Sequence, residues 1–156
     1  MAQIRDIVGP VSIEQLKNHL HIFTEDFDEQ LLFDLRAAVA KAESFINGHI
    51  WRSTVTNSVP FRNTIAVDST AQVTSVKVDG QDVNFTSEEG VIYVEGQGKR
   101  LQYTAIVGYA AEDCPLDIQM AILLIASKFF NNPVDSVENL PSASQSLLHP
   151  YRKYCI

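Results

Sequence analysis

Residues 116–130 constrain the fold more than any other stretch of the chain, because they would be apolar on nearly every face of a helix. Met120, Ile122, Leu123, Leu124, Ile125 and Phe129 leave no continuous polar stripe. A helix of that kind belongs in the centre of a fold or within a bilayer. Gln119, Ser127 and Lys128 interrupt the apolar run 118–130, which falls well short of the roughly 20 residues that a membrane span needs. The expectation is therefore a central helix wrapped by the rest of a globular chain. Asp113-Cys114-Pro115 marks its start, since a proline at the first helical position gives up only an amide that would be orphaned there.

The remaining residues supply the wrapping. Ser12-Ile13-Glu14-Gln15 reads as a capping box opening a short helix over about 12–21, with Val11 and Leu16 spaced as a hydrophobic staple. Asp26 followed by Glu29 suggests a second capping box. The helix after it, about 27–47, carries Leu31, Leu35, Ala38, Val39, Ala42 and Ile46 on one stripe and stops at Asn47-Gly48. Ser142-Ala143-Ser144-Gln145 offers a third box before a short helix over about 143–149, and Pro150 bars a straight continuation.

Between the second and third helices, over about 54–109, β-branched and aromatic residues alternate between turn pairs. Val76-Lys77-Val78 and Val83-Asn84-Phe85 flank Asp79-Gly80, a hairpin signal. A second hairpin is expected from 91–94 through Gly96-Gln97-Gly98 to 101–104, and 64–67 is a candidate additional strand. The predicted class is α+β and predominantly helical, with about four helices and a small antiparallel β-hairpin region inserted between helices 2 and 3. With no repeat or low-complexity tract, a single domain over residues 1–156 is expected.

Composition narrows the function classes. With 12 Lys and Arg against 19 Asp and Glu, the net charge is −7, which disfavours tight nucleic-acid binding, because that binding comes from cations that neutralise phosphates. Residues 141–156 form the one segment with basic but no acidic residues, Arg152 and Lys153. Cys114 and Cys155 make no CxxC pair and are expected to be two free thiols. The opening residues show no basic region followed by an apolar stretch, so no secretory signal is expected and a cytosolic chain is.

Chemical motifs are sparse. His19 and His21 point in different directions on a helix, and no third ligand lies at metal-binding spacing. Gly96-Gln97-Gly98 lacks a third glycine at Leu101 and sits between strands, so it is read as a turn and not as a dinucleotide fingerprint. The run Glu25-Asp26-Phe27-Asp28-Glu29 lacks the order of a calcium loop and suits a helix start that complements the macrodipole. No GxSxG elbow, HExxH helix or P-loop occurs. No catalytic residue, cofactor or metal is expected, and the chain is read as a contact-making protein and not an enzyme.

The order of features carries a resemblance. Residues 12–20, Ser12-Ile13-Glu14-Gln15-Leu16-Lys17-Asn18-His19-Leu20, are followed by Asp26-Phe27-Asp28-Glu29-Gln30-Leu31-Leu32, Ala37-Ala38 and Ala42-Glu43. Then come Val73-Thr74-Ser75-Val76 before Asp79-Gly80, Tyr103-Thr104-Ala105, Gly108-Tyr109, Pro115-Leu116-Asp117-Ile118, Ala121-Ile122-Leu123-Leu124 and Leu147-Leu148-His149-Pro150-Tyr151-Arg152. Over about residues 10–154 the chain resembles the head-tail connector (adaptor) proteins of long-tailed bacteriophages and prophages. It departs from them after the apolar helix, where Phe129-Phe130-Asn131-Asn132-Pro133 lacks the arginine of an aromatic-Glu-Asn-Arg sequence.

The resemblance implies a structural virion protein at the head-tail interface, assembled in the host cytoplasm. Its partners would be sister subunits in a ring, dodecameric in the virion, the portal protein above and a head-completion or tail protein below. DNA would pass through the ring without specific binding, and no membrane is involved. A ring of acidic subunits repels phosphates and so suits a passage along which DNA slides.

Tyr151, Arg152, Lys153 and Tyr154 are candidate portal or intersubunit contacts, because aromatic residues and arginine are enriched in interface cores. Packing of that tail on its own domain is the alternative. Gly96, Gln97, Gly98 and Lys99 are candidates for a neighbour contact or for channel lining. Other readings are a different head- or tail-completion ring protein, a small binding module unrelated to phage, or an enzyme in which His19, His49 or Cys114 converge with carboxylates.

Overall fold

The computed structural model describes residues 7–8, 11–68, 70–132 and 140–153. The chain divides into two compact units, Met1–Trp51 with Tyr109–Ile156, and Arg52–Gly108. Each has its own buried apolar cluster.

In the first unit, strands β1 (Ile7–Val8) and β2 (Val11–Ser12) form a small antiparallel pair. They lead into α1 (Ile13–Leu20), and α2 (Asp28–Ile46) follows. The capping box is present: Ser12 Oγ accepts from Gln15 N at 3.2 Å, and Gln15 Oε1 accepts from Ser12 N at 2.8 Å. Val11 and Leu16, the staple pair, are both fully buried. The chain leaves α1 through His21 in the left-handed region (φ 58°), with Ile22 N donating to Lys17 O at 2.9 Å.

The apolar stripe of α2 is buried as the 3.6-residue period requires, from Leu31 to Ile46. Asn47 (φ 53°) ends it, and Gly48 N returns to Glu43 O at 3.2 Å. The Glu43 carboxylate then accepts from Ile50 N at 2.9 Å and Trp51 N at 2.8 Å, fixing the exit from the helix.

The second unit holds β3 (Ser53–Pro60), β4 (Thr64–Ala66), β5 (Gln72–Val78), β6 (Gln81–Asp82), β7 (Phe85–Glu88), β8 (Val91–Val94) and β9 (Arg100–Val107). They form two antiparallel sheets, one in the order β3-β9-β5-β6 and one in the order β4-β8-β7. Strand β9 is the spine of the larger sheet, paired from Ser53↔Val107 to Pro60↔Arg100 on one side and with β5 on the other. Val76, Leu101, Tyr103, Ala105 and Val107 are buried with Ile92 and Val94.

The chain then returns to the first unit with α3 (Leu116–Asn131), α4 (Ser142–Leu148) and a 3₁₀ turn at His149–Tyr151. Helices α2 and α3 run antiparallel. At one end Phe27 meets Phe130 edge-on with ring centroids 5.7 Å apart, and at the other Tyr109 N donates to Ile50 O at 3.0 Å.

Several expectations are corrected. The fold is α+β but not predominantly helical, because nine strands stand beside the four helices among the described residues. No second hairpin runs through Gly96-Gln97-Gly98: β8 pairs with β4 and β7, whereas β9 pairs with β3 and β5. The segment is a crossover between sheets. The hairpin at Asp79-Gly80 is tighter than expected, with both residues at positive φ (50° and 84°) and Val78↔Gln81 paired directly, while Phe85 belongs to the other sheet.

The second and third capping boxes are not formed. Helix α2 starts only at Asp28, with no side-chain cap, and Asp28 instead pairs with Lys17 at 2.9 Å. Ser142 lies inside α4, and Gln145 Nε2 donates to Leu140 O at 2.9 Å. Nor is α3 buried all round. Ile118, Ala121, Ile122, Ile125 and Ala126 face the core, but Leu116 is 78% exposed and Met120 is exposed one turn on.

Candidate functional site

Arg152 and Lys153 are held by the end of α2 and by the 3₁₀ turn. Lys153 N donates to Ile46 O at 2.8 Å, and Asn47 Nδ2 donates to Lys153 O at 3.0 Å. Arg152 N closes onto His149 O at 3.1 Å. The left-handed Asn47 that ends α2 thus also frees an amide side chain to hold the tail. Tyr151 is half-buried against the helical core, and burial, then the nearby Asp117 and Cys114, push its phenol above the usual range. Arg152 is exposed, with its guanidinium 5.0 Å from the Phe45 ring centroid, a cation–π distance. Phe45, Gln145, Ser146, His149 and Arg152 line an open groove there. Tyr154 and Cys155 lie outside the described residues.

The other end of α2 has the opposite character. In the loop between α1 and α2, Phe23 is 84% exposed, and Glu25 and Asp26 are exposed beside it. Phe27 and Asp28 tie this loop down through Phe130 and Lys17. Phe33, on the outer face of α2, is 68% exposed.

Gly96, Gln97, Gly98 and Lys99 are exposed, but their backbone is bound within the β unit. The Asp79 carboxylate accepts from Lys99 N at 3.1 Å and Arg100 N at 3.0 Å, bonds that hold it below the usual carboxylate range. Asn63 Nδ2 donates to Val94 O at 2.8 Å and Gly96 O at 3.3 Å, and Phe61 N donates to Lys99 O at 3.0 Å. Glycine is required at 98 by close approach: a Cβ there would lie 2.2 Å from Val78 Cγ1.

Groups with reactive potential do not converge. Cys114 is buried and its thiol is pushed up to about 12 by burial, so it stays protonated at neutral pH. Asp34 is buried on α2, with Gln30 Nε2 donating to Oδ1 at 2.9 Å and Oδ2 unpaired, and burial raises its pKa. Ser144 Oγ is likewise buried without a partner. Among the described residues no group of three or more His, Cys, Asp and Glu is placed to hold a metal, and no helix is long and apolar enough to cross a membrane. An open hollow in the β unit, lined by Asn63, Phe85, Thr86, Tyr93 and Glu95 among others, contains one acid and no histidine, cysteine or lysine.

The helical unit thus carries an acidic aromatic loop at one end of α2 and, at the other, a groove with an aromatic wall and an arginine. Sequence reading found Arg152 and the acidic run but missed the groove, whose walls come from residues about a hundred positions apart. It also missed the Glu43 cap and the buried Asp34, which lies at a polar position within an otherwise ordinary amphipathic pattern.

No family model and no curated protein matches the sequence. Solved structures do share the fold. A chain in the neck of an empty GTA particle, computed with C6 symmetry, aligns with a TM-score of 0.75 at 19% identity, over 94% of this chain and 91% of that one. A chain in the neck of the native GTA particle, computed with C12 symmetry, aligns at 0.72 and 18% identity, over 92% and 89%. A third, in the virion of the native gene transfer agent (GTA) particle, aligns at 0.72 and 18% identity, over 94% and 91%. At these identities the likeness is one of fold.

Proposed function

We propose that the chain is a structural neck protein of a phage-type particle, and within that class a head-tail connector subunit. Copies of it form a ring below the portal that extends the DNA channel and docks the next head-completion or tail protein. The observation that carries this is the fold match over nearly the full length of both chains to a neck protein of the GTA particle. Its two symmetries, C6 and C12, support a ring, and a dodecamer fits both. In this reading the two units together are one connector subunit.

The mechanism follows from charge and contact. Thirteen acidic and seven basic residues fall in the helical unit, against six and five in the β unit. A ring that turns the helical unit to its lumen repels the DNA backbone and lets it slide. Tyr151, Arg152, Lys153 and Tyr154 serve sister-subunit or portal contacts, with Tyr151 anchoring the segment and Arg152 presented outward. The side chains of Gln97 and Lys99, on a braced crossover at Gly96 and Gly98, contact a neighbour or line the channel.

Deleting the gene from a particle-producing strain tests the assignment. Electron microscopy is expected to show heads without tails and free tails beside them. Intact tailed particles in the deletion strain would contradict it.

A further inference from the structure

We propose that the exposed apolar stripe at the start of α3 in one copy packs on the outer face of α2 in the next copy, as a heterologous helix-to-helix contact that closes the ring. This rests on the connector reading and adds the surfaces to it.

The first surface is a continuous stripe. Leu116 and Met120 lie one turn apart on the same side of α3, and Leu123, about a further turn along, is only partly buried. All three lie opposite Ile118, Ile122 and Ile125, the residues that α3 buries in the core. A contiguous apolar patch left outside the core marks an association surface. Glu112 and Asp113 are exposed just ahead of it, and neither side chain forms an ion pair or a hydrogen bond among the described residues.

The second surface has the complementary chemistry. Opposite its own buried stripe, α2 carries the exposed Phe33, Arg36 and Ala40, with Ala37 and Lys41 partly exposed beside them. Neither Arg36 nor Lys41 forms an ion pair or a side-chain hydrogen bond among the described residues. Of the acids within a turn of these two cations on α2, Asp34 is buried, and the Glu43 carboxylate already accepts from Ile50 N and Trp51 N. The positive charge on this face is therefore left for an outside anion.

The spacings agree as well. With the two helices antiparallel, Met120 and Leu116, four residues apart, lie along Phe33 and Ala37, four residues apart. The alanine methyls leave room for the longer leucine and methionine side chains. Glu112, four residues before Leu116, then comes toward Lys41, four residues after Ala37, so that anion faces cation at the edge of an apolar contact.

The occupant has to be another molecule. Both surfaces lie on the sides of α2 and α3 turned away from the core that these helices share, so they cannot meet within one chain. A second copy supplies what each surface lacks. In a ring every copy has one neighbour on either side, which calls for two different patches that fit one another, and a contact of that kind closes when the rotation allows.

The test uses particles from the producing strain, with the full-length chain carrying Cys155→Ser and the pair Phe33→Cys and Met120→Cys. Mild oxidation is expected to give a ladder of cross-linked multimers, absent from either single variant. In parallel, Arg36→Glu with Lys41→Glu, or Glu112→Lys with Asp113→Lys, is expected to lower the copies per particle about tenfold, and all four changes together to restore most of them. If the particles contain the chain but the paired cysteines give no ladder, or a single variant gives the same ladder, this contact is wrong and the connector reading stands. If the paired cysteines keep the chain out of particles, the charge reversals decide alone, and copy numbers that they leave unmoved overturn the contact. If wild-type particles lack the chain, both readings fall.

Discussion

The helical unit and the β unit handle their surfaces in opposite ways. Among the described residues, the helical unit exposes Phe23, Phe27, Phe33, Trp51, Leu116 and Met120, while the β unit exposes one comparable side chain, Tyr93. Nearly all of the acidic excess lies in the helical unit as well. The β unit satisfies its polar groups internally, as where Asp79 braces the crossover, whereas the helical unit buries Asp34 half-paired. Exposed apolar groups and unbalanced charge are the features that favour association. A surface without them is built to hold its own shape.

The sharpest way to break this comparison is to damage one core at a time. Ile122→Ala in the helical cluster and Leu101→Ala in the β cluster each remove a fully buried side chain, and each should cost about 2–5 kcal/mol. Hydrogen exchange should show the loss of protection confined to the unit carrying the change. Equal loosening of both units by either substitution would mean that they unfold as one body.

A smaller effect is expected at Gly98→Ala, about 1–3 kcal/mol by denaturant unfolding, because the new methyl would press on Val78. An unchanged midpoint would show that the crossover is not braced as described.

Two carboxylates give the smallest and most specific contrast, since their shifts are opposite in sign. Asp34 has a folded pKa raised above 3.8 by burial, so the folded state holds its proton more tightly and Asp34 favours folding less as pH rises through that window. Asp79 has a folded pKa lowered by the Arg100 and Lys99 amides, so its contribution is present above 3.8 and is lost as pH falls through the lower folded value. Relative to wild type, Asp34→Asn should therefore gain stability at neutral pH and lose that advantage in acid. Asp79→Asn should lose stability at neutral pH and converge with wild type in acid. Thermal unfolding between pH 3 and pH 7 reads both, and parallel curves would refute the assignment.

How much of this was legible in the sequence depended on how local the determinant was. Ser12 and Gln15, three residues apart, form the box they announce, and the stripe from Leu31 to Ile46 is buried as its period says. The same local grammar at Asp26 and Glu29 misled, because Lys17, eleven positions before Asp28, fixes where α2 begins. Alternation marked 91–94 and 101–104 as strands but could not say that they join different sheets. That choice is made by the side chains of Asp79 and Asn63, from distant parts of the chain. The apolar pattern of 116–130 called for burial on all sides, yet Leu116 and Met120 remain at the surface, and nothing in the local pattern sets them apart from the residues that reach the core. The groove at Phe45 joins segments about a hundred positions apart, and no pattern within either one signals the other.

The central claim is that the chain is a ring-forming connector at the neck. Cryo-electron microscopy of particles carrying an epitope-labelled copy tests it most directly. The account predicts label density in a ring at the head-tail junction, coaxial with the DNA passage and directly below the portal. Label on the capsid shell, along the tail tube, or absent from purified particles would contradict it.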